Sequence, residues 1–111
     1  MTPVEVPVKV SVVTIAYNHE LYIVEAVESV LMQECDFDLE YIIADDASTD
    51  GTPEILAEFA SQHPGRVKLV LRDANVGAQR NLADALSRCT GQYVALLDGD
   101  DYWTSPQKLQ K

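Results

Sequence analysis

Three carboxylates crowd into the four residues Asp98-Gly99-Asp100-Asp101. Like charges this close repel and shift one another's pKa values, so a cation among them would explain their company. Carboxylate oxygens are hard ligands, suited to Mg²⁺ or Mn²⁺. The stretch follows Tyr93-Val94-Ala95-Leu96-Leu97, an apolar run that reads as a strand buried on both faces. The acids therefore fall at the carboxyl end of a core strand, where open α/β sheets bind ligands. A divalent metal holding a phosphorylated substrate is one reading. An acidic turn capping a following helix is the other, and these four residues alone do not separate the two.

Two further polar stretches sit at predicted strand ends. Tyr17-Asn18-His19 follows the first strand, and Asp45-Asp46-Ala47-Ser48-Thr49-Asp50-Gly51-Thr52 follows the second. Asp46 can accept an N–H from a ligand such as the imide of uracil. Ser48 and Asp50 suit turn and helix-cap roles, and as a site residue Asp46 is expected to matter little for stability. Tyr17 offers a ring that can stack on a base, or an ordinary rim residue. His19 and His63 have no evident partners and default to surface or capping roles. Asn75-Val76-Gly77 forms a turn into a helix whose first turn carries Arg80 and Asn81. Arg80 can neutralise a phosphate, pair with Asp46 across the crevice, or stay solvated. Arg72 and Lys68 read as a solvated strand face. A calcium loop starting at Asp46 is rejected, because Ala57 stands where such a loop needs a bidentate Glu.

The elements that must position these groups follow from periodicity. Residues 1–7 read as an extended arm, with Pro3 and Pro7 opposing regular structure. Strands are expected over Val8–Ala16, Leu39–Ala44, Arg66–Leu71 and Gln92–Leu97. Helices are expected over Glu20–Met32, Gly51–Gln62 and Ala78–Cys89, each with apolar residues at helical spacing. The order βαβαβαβ calls for a parallel sheet with right-handed crossovers and helices on both faces. Its carboxyl ends share one edge, so seven Asp and Asn residues converge on one crevice.

The chain has 111 residues, 47% hydrophobic and 23% charged, with a formal net charge of −10. That bounds it to one soluble globular domain, spanning residues 8–111. The acidic balance excludes a nucleic-acid backbone as main partner and electrostatic docking on an anionic membrane. An acidic protein that binds an anionic substrate needs a local cation, which a metal supplies. No apolar stretch reaches the ~20 residues of a membrane helix, and the start lacks signal-peptide features. Cys35 and Cys89 fit no metal-ligand spacing and read as incidental thiols of a reducing cytosol. Ser105-Pro106 reads as a helix start only about one turn before Lys111, so a longer parent protein is expected.

Taken in order, Val10–Asn18, Ile42–Thr52, Asn75-Val76-Gly77 with Arg80-Asn81, and Leu96–Asp101 resemble the nucleotide-binding half of a family-2 glycosyltransferase with the GT-A fold. The resemblance runs from Lys9 to about Trp103. It implies that Tyr17 and Asp46 contact the nucleotide base, usually uracil, and that Arg80 holds the nucleotide edge. Asp98 would contact ribose or metal, and Asp100 the Mn²⁺ or Mg²⁺ and the diphosphate, with Asp101 a competing ligand. The implied partner is a nucleotide-diphosphate sugar, UDP-sugar foremost. A glycan or lipid-linked acceptor would be held by a further half that also carries the catalytic base. No residue here matches that base, so the chain alone is expected to bind without transferring. A cytoplasmic location is implied, with peripheral membrane attachment of the longer protein left open. Ala47 stands where the family more usually has Gly, and Ala16 where Pro or Ser is common.

Two rivals share the size and the acidic sheet edge. A receiver-type signalling module would place acids after the first strand, where this chain has Tyr17-Asn18. A nucleotidyltransferase would want a Gly-rich basic loop there, and His19-Glu20 occupies it.

Overall fold

The computed structural model describes residues 9–33, 38–91 and 93–99. The expected arm, Cys35, the metal candidates Asp100 and Asp101, the Asp98 side chain and the Ser105-Pro106 helix start lie outside them. Runs rich in β-branched and aliphatic residues form four strands: β1 (Lys9–Ala16), β2 (Asp38–Asp45), β3 (Val67–Leu71) and β4 (Tyr93–Asp98). Segments with helical apolar spacing form α1 (Ile23–Leu31), α2 (Thr52–Gln62) and α3 (Ala78–Ser87). The sheet order is β3-β2-β1-β4, and every pairing is parallel. In register, Ala16 lies level with Asp45, Asp45 with Leu71, and Ile15 with Asp98. One sheet edge therefore gathers all four carboxyl ends, as the βαβ pattern requires.

The helices cover both faces, also as expected. On one, Ile23, Val27 and Val30 of α1 and Leu56 of α2 pack on Val12, Tyr41, Ile43 and Leu97. On the other, Ala85 and Leu82 of α3 pack on Val13, Ile42 and Ala44. Helix α1 starts three residues later than its apolar spacing suggested. The His19 carbonyl accepts N–H groups from both Tyr22 and Ile23 at 2.8 Å, closing a turn before the helix proper.

The expectation that Tyr93–Leu97 is buried on both faces is overturned. Among the described residues strand β4 ends the sheet, paired with β1 alone, and α3 packs over β1 and β2. Leu97 points into the α1/α2 core, but Tyr93, Val94 and Leu96 are 65%, 46% and 55% exposed. A continuous apolar run marks a strand that something covers. It does not say that the cover lies within the same stretch of chain.

The opposite, amino edge is held by Glu40, a carboxylate buried inside β2. It accepts Ser11 Oγ at 2.7 Å, Thr90 N at 2.9 Å and Thr90 Oγ1 at 3.0 Å. It pairs with Lys68 and, at 3.5 Å, with Lys9. Lys68 is thus an ion-pair partner across two strands and not a merely solvated residue. Burial would raise the Glu40 pKa, but the bonds from Lys68, Thr90 and Ser11 outweigh it and bring it down to about 2.

Gly91 completes this corner by donating its N–H to Ser11 Oγ at 2.9 Å. A Cβ there would lie 2.7 Å from the Ser11 backbone nitrogen and 2.9 Å from the Lys9 carbonyl. Neither backbone atom can yield without moving β1. Gly91→Ala is therefore expected to cost roughly 1–3 kcal/mol, the range for overpacking. Chemical denaturation checks this, and a variant as stable as the parent would show that β1 has slack at that point.

Candidate functional site at the carboxyl edge of the sheet

The three loops at the carboxyl edge are tied to one another by short polar side chains. Asn18, in the left-handed region at φ 54°, accepts the Thr49 N–H at 2.8 Å, and its own N–H donates to Ser48 Oγ at 2.9 Å. Asp45 is buried and accepts the Ser48 N–H at 3.0 Å, closing the turn after β2. Asp50 accepts the Thr52 N–H at 3.0 Å and the Glu20 N–H at 3.2 Å. Ser48 thus has the turn role expected of it, while Gly51 and not Asp50 is the cap residue of α2, and Asp50 holds the first helical N–H from one position earlier. Ala47 sits at φ 59°, where a Cβ is strained, which explains why Gly would suit this position.

Asp46 is 4% exposed and clamps the loop before α3. Its Oδ1 accepts Val76 N at 2.7 Å and its Oδ2 accepts Gly77 N at 3.0 Å. Gly77, at φ 93°, supplies the backbone turn that aims these N–H groups. Asn75 adds a bond from Nδ2 to the Asp46 carbonyl at 3.2 Å. Asp46 is thus structural as well as part of the cleft wall, which corrects the expectation that it matters little for stability. It forms no ion pair with Arg80, which is exposed on α3. Among the described residues the carboxylate is engaged by backbone N–H groups instead.

Asn81 and Arg72 are the site-supporting residues whose roles sequence reasoning missed. Asn81 is fully buried and donates from Nδ2 to the Ala44 carbonyl at 2.9 Å, pinning α3 to the end of β2. Its Oδ1 accepts Arg72 Nε at 2.6 Å, while Arg72 also pairs with Asp84 at 2.8 Å. Arg72 is therefore a largely buried tie between β3 and α3, and the expected solvated role is wrong for it. Its partners stand nine and twelve positions away on another element, a spacing with no local signature.

Between these loops lies a cleft of about 400 Å³ whose lining includes Tyr17, His19, Asp46, Gly77 and Asn81. Tyr17 stands at the rim, 46% exposed, with its ring free to take a flat partner. His19, which defaults to a surface or capping role by sequence, lines the cleft. The acidic stretch reaches the same edge, where Gly99 donates its N–H to the Ile15 carbonyl at 3.0 Å. Of the predicted site residues, the fold brings Tyr17 and Asp46 to one cleft, delivers the backbone of Asp98 beside it, and leaves Arg80 outside its lining. Among the described residues no cluster of three or more His, Cys, Asp or Glu could hold a metal. No helix among them is long and apolar enough to cross a membrane.

This geometry coincides with known proteins. An uncharacterised protein of Mycobacterium tuberculosis is 50% identical over 101 residues, covering 91% of this chain and 29% of that protein. The mannosyltransferase PcManGT from Pyrobaculum calidifontis, solved with GDP-Man and Mn²⁺, superposes with a TM-score of 0.79 at 31% identity, covering 91% of this chain and 30% of that one. TarS 1–349 of S. aureus, solved with UDP, gives 0.79 and 31%, covering 92% and 30%. The chain thus spans about three tenths of the length of each. The parallel sheet with helices on both faces is the GT-A fold of these glycosyltransferases. Residues 11–111 match the profile described as Glycosyl transferase family 2, and the chain belongs to that family.

Proposed function

We propose that this chain is the donor-binding part of an inverting glycosyltransferase that moves a sugar from a nucleotide diphosphate, UDP foremost, to an acceptor hydroxyl. The observation that carries the reading is the cleft itself. It pairs an exposed aromatic ring, Tyr17, with a buried carboxylate, Asp46, at the edge where the acidic stretch begins. A carboxylate has about four acceptor positions, and Asp46 uses two on Val76 and Gly77. It therefore keeps capacity for the N–H of a base while Tyr17 stacks on the ring. The nucleotides with which the PcManGT and TarS structures were solved support the class of ligand. Family membership leaves the receiver and nucleotidyltransferase readings without support.

Mn²⁺ or Mg²⁺ bound there would offset the charge of the leaving diphosphate. Asp98 and Asp100 are the residues we assign to it, with Asp101 in competition. Arg80, exposed one residue before Asn81, is assigned to the outer edge of the nucleotide. Transfer also needs a base within reach of the acceptor hydroxyl, and every motif recognised here serves the donor. The chain alone is thus expected to bind nucleotide without turnover. The acceptor, a glycan or lipid-linked sugar, belongs to the rest of the protein. Cytoplasmic location, with peripheral membrane attachment at full length, goes with this reading.

The test is calorimetric titration with UDP, with Mn²⁺ and with EDTA. Binding should weaken at least tenfold without metal, and Asp100→Ala should lose the metal-dependent part. Equal affinity under both conditions would sink the metal role. Binding by neither UDP nor GDP would sink the donor role.

A further inference from the structure

His19 has a feature that the donor reading leaves unused. Its ring lines the cleft, yet its Nδ1 is buried and has no hydrogen-bond partner among the described residues. That nitrogen faces the acidic stretch: a Cβ on Gly99 would lie 2.5 Å from it. Glycine at position 99 leaves the room that the ring occupies. Buried polar atoms without a partner are rare in folded proteins and unfavourable where they occur. The backbone cannot relieve it. The His19 N–H donates to Thr52 Oγ1 at 3.1 Å, and its carbonyl holds the turn into α1. The imidazole can still rotate about χ2, which carries Nδ1 between Gly99 and the cleft while the backbone stays fixed.

We propose that His19 is a ligand-contacting residue whose Nδ1 hydrogen-bonds a phosphate oxygen of the bound nucleoside diphosphate, where the cleft meets the acidic stretch. This rests on the donor reading above. The position fits an oxygen-rich group. It lies on the same wall as Tyr17, whose ring takes the base, and against Gly99, which separates two of the acids in sequence. A charged phosphate oxygen gives the nitrogen the strong partner that the described residues do not supply.

The test uses His19→Leu and His19→Asn in the full-length protein, titrated with UDP and with uridine in Mn²⁺, alongside thermal melting. Leucine fills the space without a polar atom, and asparagine places an amide near the Nδ1 position. His19→Leu should bind UDP roughly tenfold more weakly. It should bind uridine as the parent does, and melt at the same temperature or higher because the orphan nitrogen is gone. His19→Asn should recover most of the UDP affinity. Unchanged UDP affinity in His19→Leu overturns the proposal. So does equal weakening for uridine, which would put the contact on the nucleoside. A lower melting temperature that asparagine does not rescue would make His19 structural. A parent protein that binds neither UDP nor GDP overturns the donor reading itself, a different result from parental binding that His19→Leu leaves intact.

Discussion

Asp46→Ala is expected to lose both nucleotide affinity and stability. Its two oxygens hold the N–H groups of Val76 and Gly77, so alanine frees the loop that forms one wall of the cleft. Each bond to a charged acceptor is worth about 1.5–3 kcal/mol, less where water replaces it, so a destabilisation of ~2–3 kcal/mol should appear in chemical denaturation. UDP affinity should fall by at least the worth of one such bond, roughly tenfold to 150-fold. Asp46→Asn is expected to act in the same direction. Its amide can accept from only one of the two N–H groups and presents a donor to the other, so it too should loosen the loop. A loss of stability with unchanged UDP binding would leave Asp46 as a turn residue only. A loss of binding with full stability would mean that the Val76–Gly77 loop is held by something else.

The largest effect on stability alone is expected at Glu40. Its folded pKa, about 2, lies below the ordinary 4.5. The unfolded chain therefore binds its proton first as pH falls. The stabilisation is complete above about pH 4.5 and is lost as the pH drops through about 2. A difference of that size corresponds to on the order of 3 kcal/mol. Glu40→Gln keeps the shape but removes the charge that Lys68 and Lys9 face, and turns an amide donor toward the Thr90 and Ser11 donors. Comparing parent and variant by denaturation from pH 7 to pH 2 should show a gap of ~3 kcal/mol at neutral pH that closes in acid. Asp50, where the bonds from Thr52 and Glu20 outweigh burial, and Asp84, held by Arg72 and Arg88, also have lowered pKa values. They are common to both proteins, so only the gap reports Glu40. A gap that persists unchanged at low pH would assign the loss to packing.

Much of this arrangement is legible in the residues alone, for reasons that differ by element. β-branched runs and helical spacing locate all seven elements within a few residues, because backbone and side-chain sterics act locally. The convergence of Asn18, Asp45 and Asp46 on one edge follows from parallel topology alone. What is not legible depends on partners distant in sequence. Strand β4 looks central because its residues are apolar, but whether Val94 and Leu96 are covered depends on what packs there, which periodicity cannot say. Asp46 reads as a site residue by type, while its acceptors' donors sit thirty residues on at Val76 and Gly77. Glu40 carries a visible signal: a charge inside Leu39–Ala44 is either an error in the strand or a buried hub. His19 carries none, since only the approach of Gly99 reveals its unpartnered nitrogen.

The pairing of β1 with β4 also governs the order in which the chain can assemble. Strand β1 is synthesised first and sits in the middle of the sheet, but Val10 pairs with Tyr93, about 80 residues later. At ~5–20 residues per second, translation leaves β1 with one unpaired edge of N–H and C=O groups for roughly 4–16 s. Nothing local can shield that edge, because parallel strands have no hairpin partner nearby. The bonds that close it, from Thr90 to Glu40 and from Gly91 to Ser11, arrive together with β4. A nascent chain stalled before Gly91 would thus present an open strand edge to its neighbours on the polysome, and aggregation there would be set by the pace of synthesis more than by the stability of the finished fold.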